Sequence, residues 1–102
     1  MNTAVNTAEL IAAIELQHGG KASFVQSVPV FQSFEGQKAW EGMVHVFDLT
    51  GHPTAKRAYA WSAAIDGSTK RRYYAVLQQP PINSPQDAVR AAIVHEYREG
   101  KI

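Results

Sequence analysis

Three turn-forming segments divide the middle of the chain at regular intervals, and this spacing limits the fold more than any other feature. The turns lie at residues 35–37, 50–54 and 66–69. β-Branched and aromatic residues fill the intervals between them, as is typical of strands. We predict four strands, at about residues 23–33, 39–49, 55–65 and 70–78. Because short connections favour antiparallel neighbours, the strands should form a meander in the order 1-2-3-4.

A helix is predicted before the first strand. Asn6 and Glu9 have the spacing of a capping box, in which the side chain of each residue accepts a hydrogen bond from the backbone N–H of the other. Apolar residues then recur at helical spacing over 10–14, and the glycines at 19–20 can end the helix. The first helix should therefore span about residues 7–18.

A second helix is predicted after the last strand. Ser84, Pro85 and Asp87 have the chemistry of an N-cap, a first helical residue and an acid in the first turn. Apolar residues over 89–97 share one helical face, and Gly100 is expected to stop the helix.

The predicted order α-β-β-β-β-α defines the fold class as α+β, with a four-stranded antiparallel sheet flanked by N-terminal and C-terminal helices in a single domain over 1–102. Pro29 has no backbone N–H, so it should lie on an edge strand or at a β-bulge, which agrees with a first strand at the edge of the meander. One helix followed by four antiparallel strands resembles the cystatin-type layout. The segments 46–53 and 56–61 resemble small uncharacterised bacterial proteins. Neither resemblance implies an activity.

Composition excludes several classes of protein. The chain has no cysteine, so it has no disulfide framework, thiolate nucleophile or cysteine-ligated metal. Its net charge is only +1, unlike that of proteins that coat nucleic acid. We find no secretory signal and no apolar run long enough to cross a bilayer, and we expect a cytoplasmic protein. No cofactor-binding motif is present, so no cofactor is expected.

The third strand separates by parity into two unlike faces. One face carries large side chains and the other small ones, mainly alanine. Small residues let a helix approach closely, so we assign both helices to the Ala/Ser face. The large face carries Arg57, Tyr59 and Trp61, followed by Ala63 and Ile65. If the turn after Ile65 has an even number of residues, this face also includes Arg72 and Tyr74. If that turn has three residues, the face includes Arg71 and Tyr73 instead.

The aromatic face is the leading candidate site, because strand two is also apolar on both sides and one face should be left without a helix. That face would need a partner, a ligand or strong curvature of the sheet to cover it. We expect a non-enzymatic module that forms a homodimer, or binds a protein partner or a small apolar ligand, through this face. The anchors are Tyr59, Trp61 and Tyr74, and the polar or cation–π contacts are Arg57 and Arg72.

The alternative is nucleic-acid binding through the basic and aromatic hairpin 56–76. The residues expected to contact phosphates or bases are Lys56, Lys70, Arg71, Arg72 and Tyr73. The same lysines and arginines have a simpler explanation, in which they protect an exposed strand edge from aggregation and keep the hairpin solvated.

Glu41, His45, Asp48 and His52 are the only clustered residues of metal-binding or acid–base type. Glu41 and His45 would lie roughly 13 Å apart on an extended strand, too far to ligate one ion. We therefore expect neither a metal site nor a catalytic residue here, and an enzyme is the least favoured class.

Overall fold

The computed structural model describes residues 7–65 and 67–98. It confirms the α+β class and the antiparallel sheet in the order β1-β2-β3-β4. The elements are α1 (Thr7–His18), β1 (Lys21–Phe34), β2 (Gln37–Thr50), β3 (Arg57–Ala64), β4 (Arg71–Leu77) and α2 (Pro85–Arg98). In the described part of the chain, neither helix is long and apolar enough to cross a membrane.

α2 begins with the N-cap that its sequence predicts. The Asp87 backbone N–H donates to Ser84 Oγ at 3.1 Å, so Ser84 is the N-cap and Pro85 the first helical residue. The predicted capping residue Asn6 and the predicted stop at Gly100 lie outside the described residues.

The strands pair over very different lengths. β1 and β2 form a long hairpin, paired from Lys21↔Thr50 to Phe34↔Gln37. Between β2 and β3, by contrast, the described residues pair only from Asp48↔Arg57 to His45↔Ala60. Beyond that point β3 continues with β4, whereas β2 continues with β1. The sheet therefore divides, and we call the space between β2 (38–44) and β3 (61–64) the fork.

The two helices lie on opposite faces of the sheet. The α1 face is the small one, and its buried cluster is Leu10, Ile14, Phe47, Leu49, Ala55, Ala58, Ala60 and Ala75. The α2 face is the aromatic one, and its buried cluster is Val30, Val44, Val46, Tyr59, Trp61, Ala88, Val89 and Ile93.

The assignment of both helices to the Ala/Ser face is therefore right for α1 and wrong for α2. The physical reason is that both faces of β2 and β3 are apolar, and each needs a layer that excludes water. The terminal helices supply one layer each. A buried side chain also fixes α2 on its face, since Gln32 of β1 donates from Nε2 to Gln86 O at 3.1 Å.

Candidate ligand-binding site

A cavity of about 560 Å³ lies at the fork on the α2 face. The β1–β2 hairpin forms one wall, the aromatic side of β3 and β4 forms a second, and α2 forms the third. Its apolar and aromatic lining is Phe34, Ala39, Trp40, Trp61, Ala63, Tyr74, Val89, Ala92 and Ile93. Its polar lining is Glu35, Gln37, Lys38 and Glu96.

Three rings form a continuous aromatic wall. Trp61 and Tyr74 are cross-strand partners, and their rings are stacked with centroids 5.2 Å apart and planes 7° apart. Trp40 reaches from the other side of the fork, with its ring centroid 5.9 Å from that of Trp61. Such contacts hold large planar side chains in fixed positions.

Gly42 makes the position of Trp40 possible. A Cβ atom at Gly42 would lie 2.9 Å from two carbons of the Trp40 ring, so any side chain there would push the indole away. The indole lies over the glycine on the same strand face and points back towards Trp61. The sequence Trp-Glu-Gly thus builds one side of the cavity.

A carboxylate closes one corner of the cavity. Tyr74 donates its hydroxyl to Glu96 Oε2 at 2.6 Å, and Arg72 Nη1 lies 3.2 Å from the same oxygen. Burial, together with the hydrogen bond to Glu96, raises the pKa of the Tyr74 hydroxyl above its usual value. The hydroxyl therefore stays protonated and remains a donor at neutral pH. The Glu96 side chain is 23% exposed and keeps a solvent-facing part.

The predicted anchors divide into those at the cavity and those away from it. Trp61 and Tyr74 share the face predicted for an even turn and line the cavity. Tyr59 is 2% exposed in the α2 cluster and lies outside the lining. Burial raises the pKa of its hydroxyl. Arg57 pairs instead with Asp48 at 3.3 Å, near the opposite end of β3.

The expectation of an open aromatic face is corrected by the position of α2. Trp61 is 2% exposed, so it forms a wall of a cavity and not a free surface. The large exposed apolar side chains of the sheet lie on the β1–β2 hairpin instead. Phe31 is 58% exposed and Met43 is 45% exposed, on the side of the hairpin away from Val44 and Val46.

Phe34, Trp40 and Glu96 line the cavity but were not predicted as site residues from the sequence. Parity could have placed Trp40, because it shares a strand face with the buried Val44 and Val46. No comparable sequence signal identifies Glu96, since its position depends on how α2 docks on the sheet.

The basic residues of the hairpin do not form one cluster. Because β3 and β4 are antiparallel, Lys56 and Arg57 lie at one end of the hairpin, and Lys70 and Arg71 lie at the other. Arg71 pairs with Ala64, so Arg57 and Arg71 lie roughly 23 Å apart at the rise of an extended strand. Arg71 donates from Nε to Ser62 Oγ at 2.9 Å.

Tyr73 lies on the opposite face from Tyr74. Its hydroxyl donates to Glu9 of α1 at 2.5 Å, and this hydrogen bond is the main reason that the pKa of Tyr73 is raised. Tyr73, which was expected to contact bases, is thus held by α1, whereas its neighbour Tyr74 faces α2.

The histidines of the central region have structural contacts. His52 Nδ1 accepts hydrogen bonds from the backbone N–H groups of Thr54 and Ala55 at 3.1 and 3.0 Å, which orders the β2–β3 loop. His45 is buried with Nδ1 2.7 Å from Ser27 Oγ, and burial lowers its pKa. Within the residues that the structure describes, no group of three or more histidine, aspartate or glutamate side chains could hold a metal ion.

The chain was compared with known families, proteins and structures. It matches no family model, no curated protein and no solved structure. The resemblances to the cystatin-type layout and to small bacterial proteins therefore stay predictions.

Proposed function

We propose that this protein is a small binding module that takes up an aromatic or other large apolar group in the fork cavity. The observation that supports this most strongly is the wall of three rings, Trp40, Trp61 and Tyr74, on a cavity of about 560 Å³. Ligand sites are typically concave and aromatic with a few polar groups, and the volume is in the usual range for a small ligand.

The carboxylate corner supports a directional mode of binding. Glu96 is held in place by Tyr74 and Arg72, and a ligand N–H or O–H can donate to its partly exposed carboxylate. The apolar wall would supply affinity and Glu96 would fix the orientation of the ligand.

Indole is a suitable first probe, because it combines a planar ring with one N–H donor. We expect its addition to shift the amide NMR resonances of α2 and of the hairpin tip around Lys38. Trp40→Ala should weaken the binding of indole by about tenfold, since stacking on one ring contributes about 1–1.5 kcal/mol. Phe31→Ala is the matched control, because Phe31 is an exposed aromatic residue on the other side of the hairpin.

The same titration can refute the proposal. Resonance shifts scattered over the whole surface, or equal binding by the wild-type protein and Trp40→Ala, would show that the cavity does not receive the ring. An unchanged melting temperature of Trp40→Ala would confirm that lost binding reflects the site and not unfolding.

Self-association is a second candidate function, and the exposed Phe31 and Met43 favour it. Apolar residues grouped on one surface often mark an interface, and a homodimer would cover them. Light scattering after gel filtration should then give twice the chain mass of 11.2 kDa. Phe31→Ser should reduce it to one chain mass, whereas a wild-type monomer at high concentration would refute the dimer.

Nucleic-acid binding has weaker support. Arg57 and Arg72 already pair with Asp48 and Glu96, and the remaining basic residues are divided between two ends of the hairpin. Strong salt-dependent binding of single strands that is lost in Arg71→Ala would favour this alternative over the cavity. All three functions are compatible with a cytoplasmic protein that is not an enzyme, and we propose this location and class for the chain.

A further inference from the structure

The main chain of β2 faces the fork beside the cavity. The Leu49 N–H donates to Lys56 O at 2.9 Å, so the backbone groups of Leu49 point towards β3. Alternate residues of a strand point in the same direction, so the N–H and C=O of Glu41 and Met43 point into the fork. The pairing of β2 with β3 ends at His45↔Ala60, so in the described part of the sheet these four groups lie beyond the paired residues.

The other strand edges each carry a feature that hinders pairing. Pro29 is the cross-strand partner of Met43, so its backbone points to the outer edge of β1, where it has no N–H to donate. On β4, His18 Nε2 lies 2.8 Å from the outward-facing Ala75 O and occupies that acceptor. On the fork side of β3, Arg71 Nη2 donates to Ser62 O at 3.3 Å.

From this contrast we infer that the natural occupant of the fork is an extended segment of another polypeptide, which pairs with β2 through Glu41 and Met43 and places a side chain in the cavity. This inference rests on the proposed function, because the side chain would be the apolar group that the cavity receives. Addition of a strand to an open sheet edge is a common mode of peptide recognition.

The surroundings of the fork define the chemistry of the segment. Successive side chains of an added strand point to opposite faces. On one face they would meet Trp40 and Trp61, and on the other the exposed Met43. The nearby charges are of both signs, with Glu35 and Arg71 at the fork and with Lys38 and Glu41 only 3.6 Å apart, so no single sign dominates. The segment should therefore be uncharged, with large apolar or aromatic residues at successive positions.

The test uses the capped pentapeptide acetyl-Thr-Val-Trp-Val-Thr-amide, titrated into the full chain by calorimetry. Two N-methylated versions are its controls, one modified at Trp and the other at both Val residues. Because alternate N–H groups point to the same side, one version should lose binding at least fivefold and the other should bind nearly as the parent does.

The matching protein variants are Glu41→Pro and Glu41→Ala. Proline removes one N–H that points into the fork, and the Glu41↔Phe31 pair has no hydrogen bond to lose because their backbone groups point away from each other. We expect Glu41→Pro to weaken binding of the pentapeptide about tenfold. Glu41→Ala should leave the affinity within about twofold of that of the wild-type protein. If Glu41→Pro does not fold, the two N-methylated peptides decide the question.

Equal binding of both N-methylated versions would overturn the inference, because the main chain would not be recognised. Indole binding without tighter binding of the pentapeptide would also overturn it while leaving the proposed function intact. If neither indole nor the pentapeptide binds, both the proposed function and this inference are overturned. A wild-type dimer that Glu41→Pro separates would identify a second copy as the occupant and would overturn recognition of a different polypeptide.

Discussion

Each face of the sheet is covered by one helix, but the two faces are packed by different means. α1 lies on the methyl groups of Ala58, Ala60 and Ala75, which allow close approach along the paired part of the sheet. α2 lies on Trp61 and its neighbours, and the cavity opens where these rings continue beyond the end of the β2–β3 pairing. Small side chains thus favour a filled interface, whereas rigid rings leave space unless their outlines fit.

The largest expected effect comes from removing the central ring of the α2 face. Trp61→Ala should lower the free energy of unfolding by about 3–5 kcal/mol, because it deletes a buried aromatic side chain and enlarges the cavity. Urea denaturation measures this change, and Trp61→Phe should cost clearly less. A loss below about 1 kcal/mol would contradict the description of this face as core.

The second prediction compares the faces directly through two alanines of β3. Ala60→Leu should cost about 1–3 kcal/mol, since Ala60 is fully buried and no space exists for the added carbons. Ala63 lines the cavity, which has room for a larger side chain. Ala63→Leu should therefore change the free energy of unfolding by less than about 0.5 kcal/mol. Equal costs in thermal or urea unfolding would show that the two faces are equally filled.

A third effect concerns the loop where β2 passes into β3. His52→Ala should cost about 1 kcal/mol, because the backbone N–H groups of Thr54 and Ala55 lose their acceptor. His52→Asn can accept from the same groups and should recover part of the loss. Indole binding should be unchanged in both variants, and a loss of binding would mean that the loop also shapes the fork.

The smallest effect should be the pH dependence contributed by His45. Its folded pKa is lowered by burial, so the unfolded state takes up a proton first as the pH falls below about 6.5. This contribution to stability is complete above that pH and is lost as the pH falls through the folded pKa. Unfolding measured at pH 7.5 and pH 5 should therefore differ less in His45→Gln than in the wild type. An identical difference in both proteins would exclude His45 as the source.

The element order was predictable because its signals are local. Ser84 and Pro85 define a helix start from their own chemistry, and the predicted strand positions agree with the structure to within a few residues. The stacking of Trp61 on Tyr74 also follows from parity, once the turn between their strands is taken as even.

The site was less predictable because its position depends on tertiary docking. Alternation identifies two apolar faces but does not say which helix covers which face. Tyr59 and Trp61 are buried because α2 covers the aromatic face. The early end of pairing at His45↔Ala60 also has no clear local signal. Glu96 enters the site only because α2 crosses the aromatic face.

The placement of the tryptophans has a practical consequence. The chain has two tryptophans, and both line the same cavity within 5.9 Å of each other. The protein therefore contains an intrinsic optical reporter, and its near-ultraviolet emission and exciton-coupled circular dichroism originate at the proposed site. Entry of a non-fluorescent compound should change these signals without any label, so whole chemical libraries can be screened on the unmodified protein.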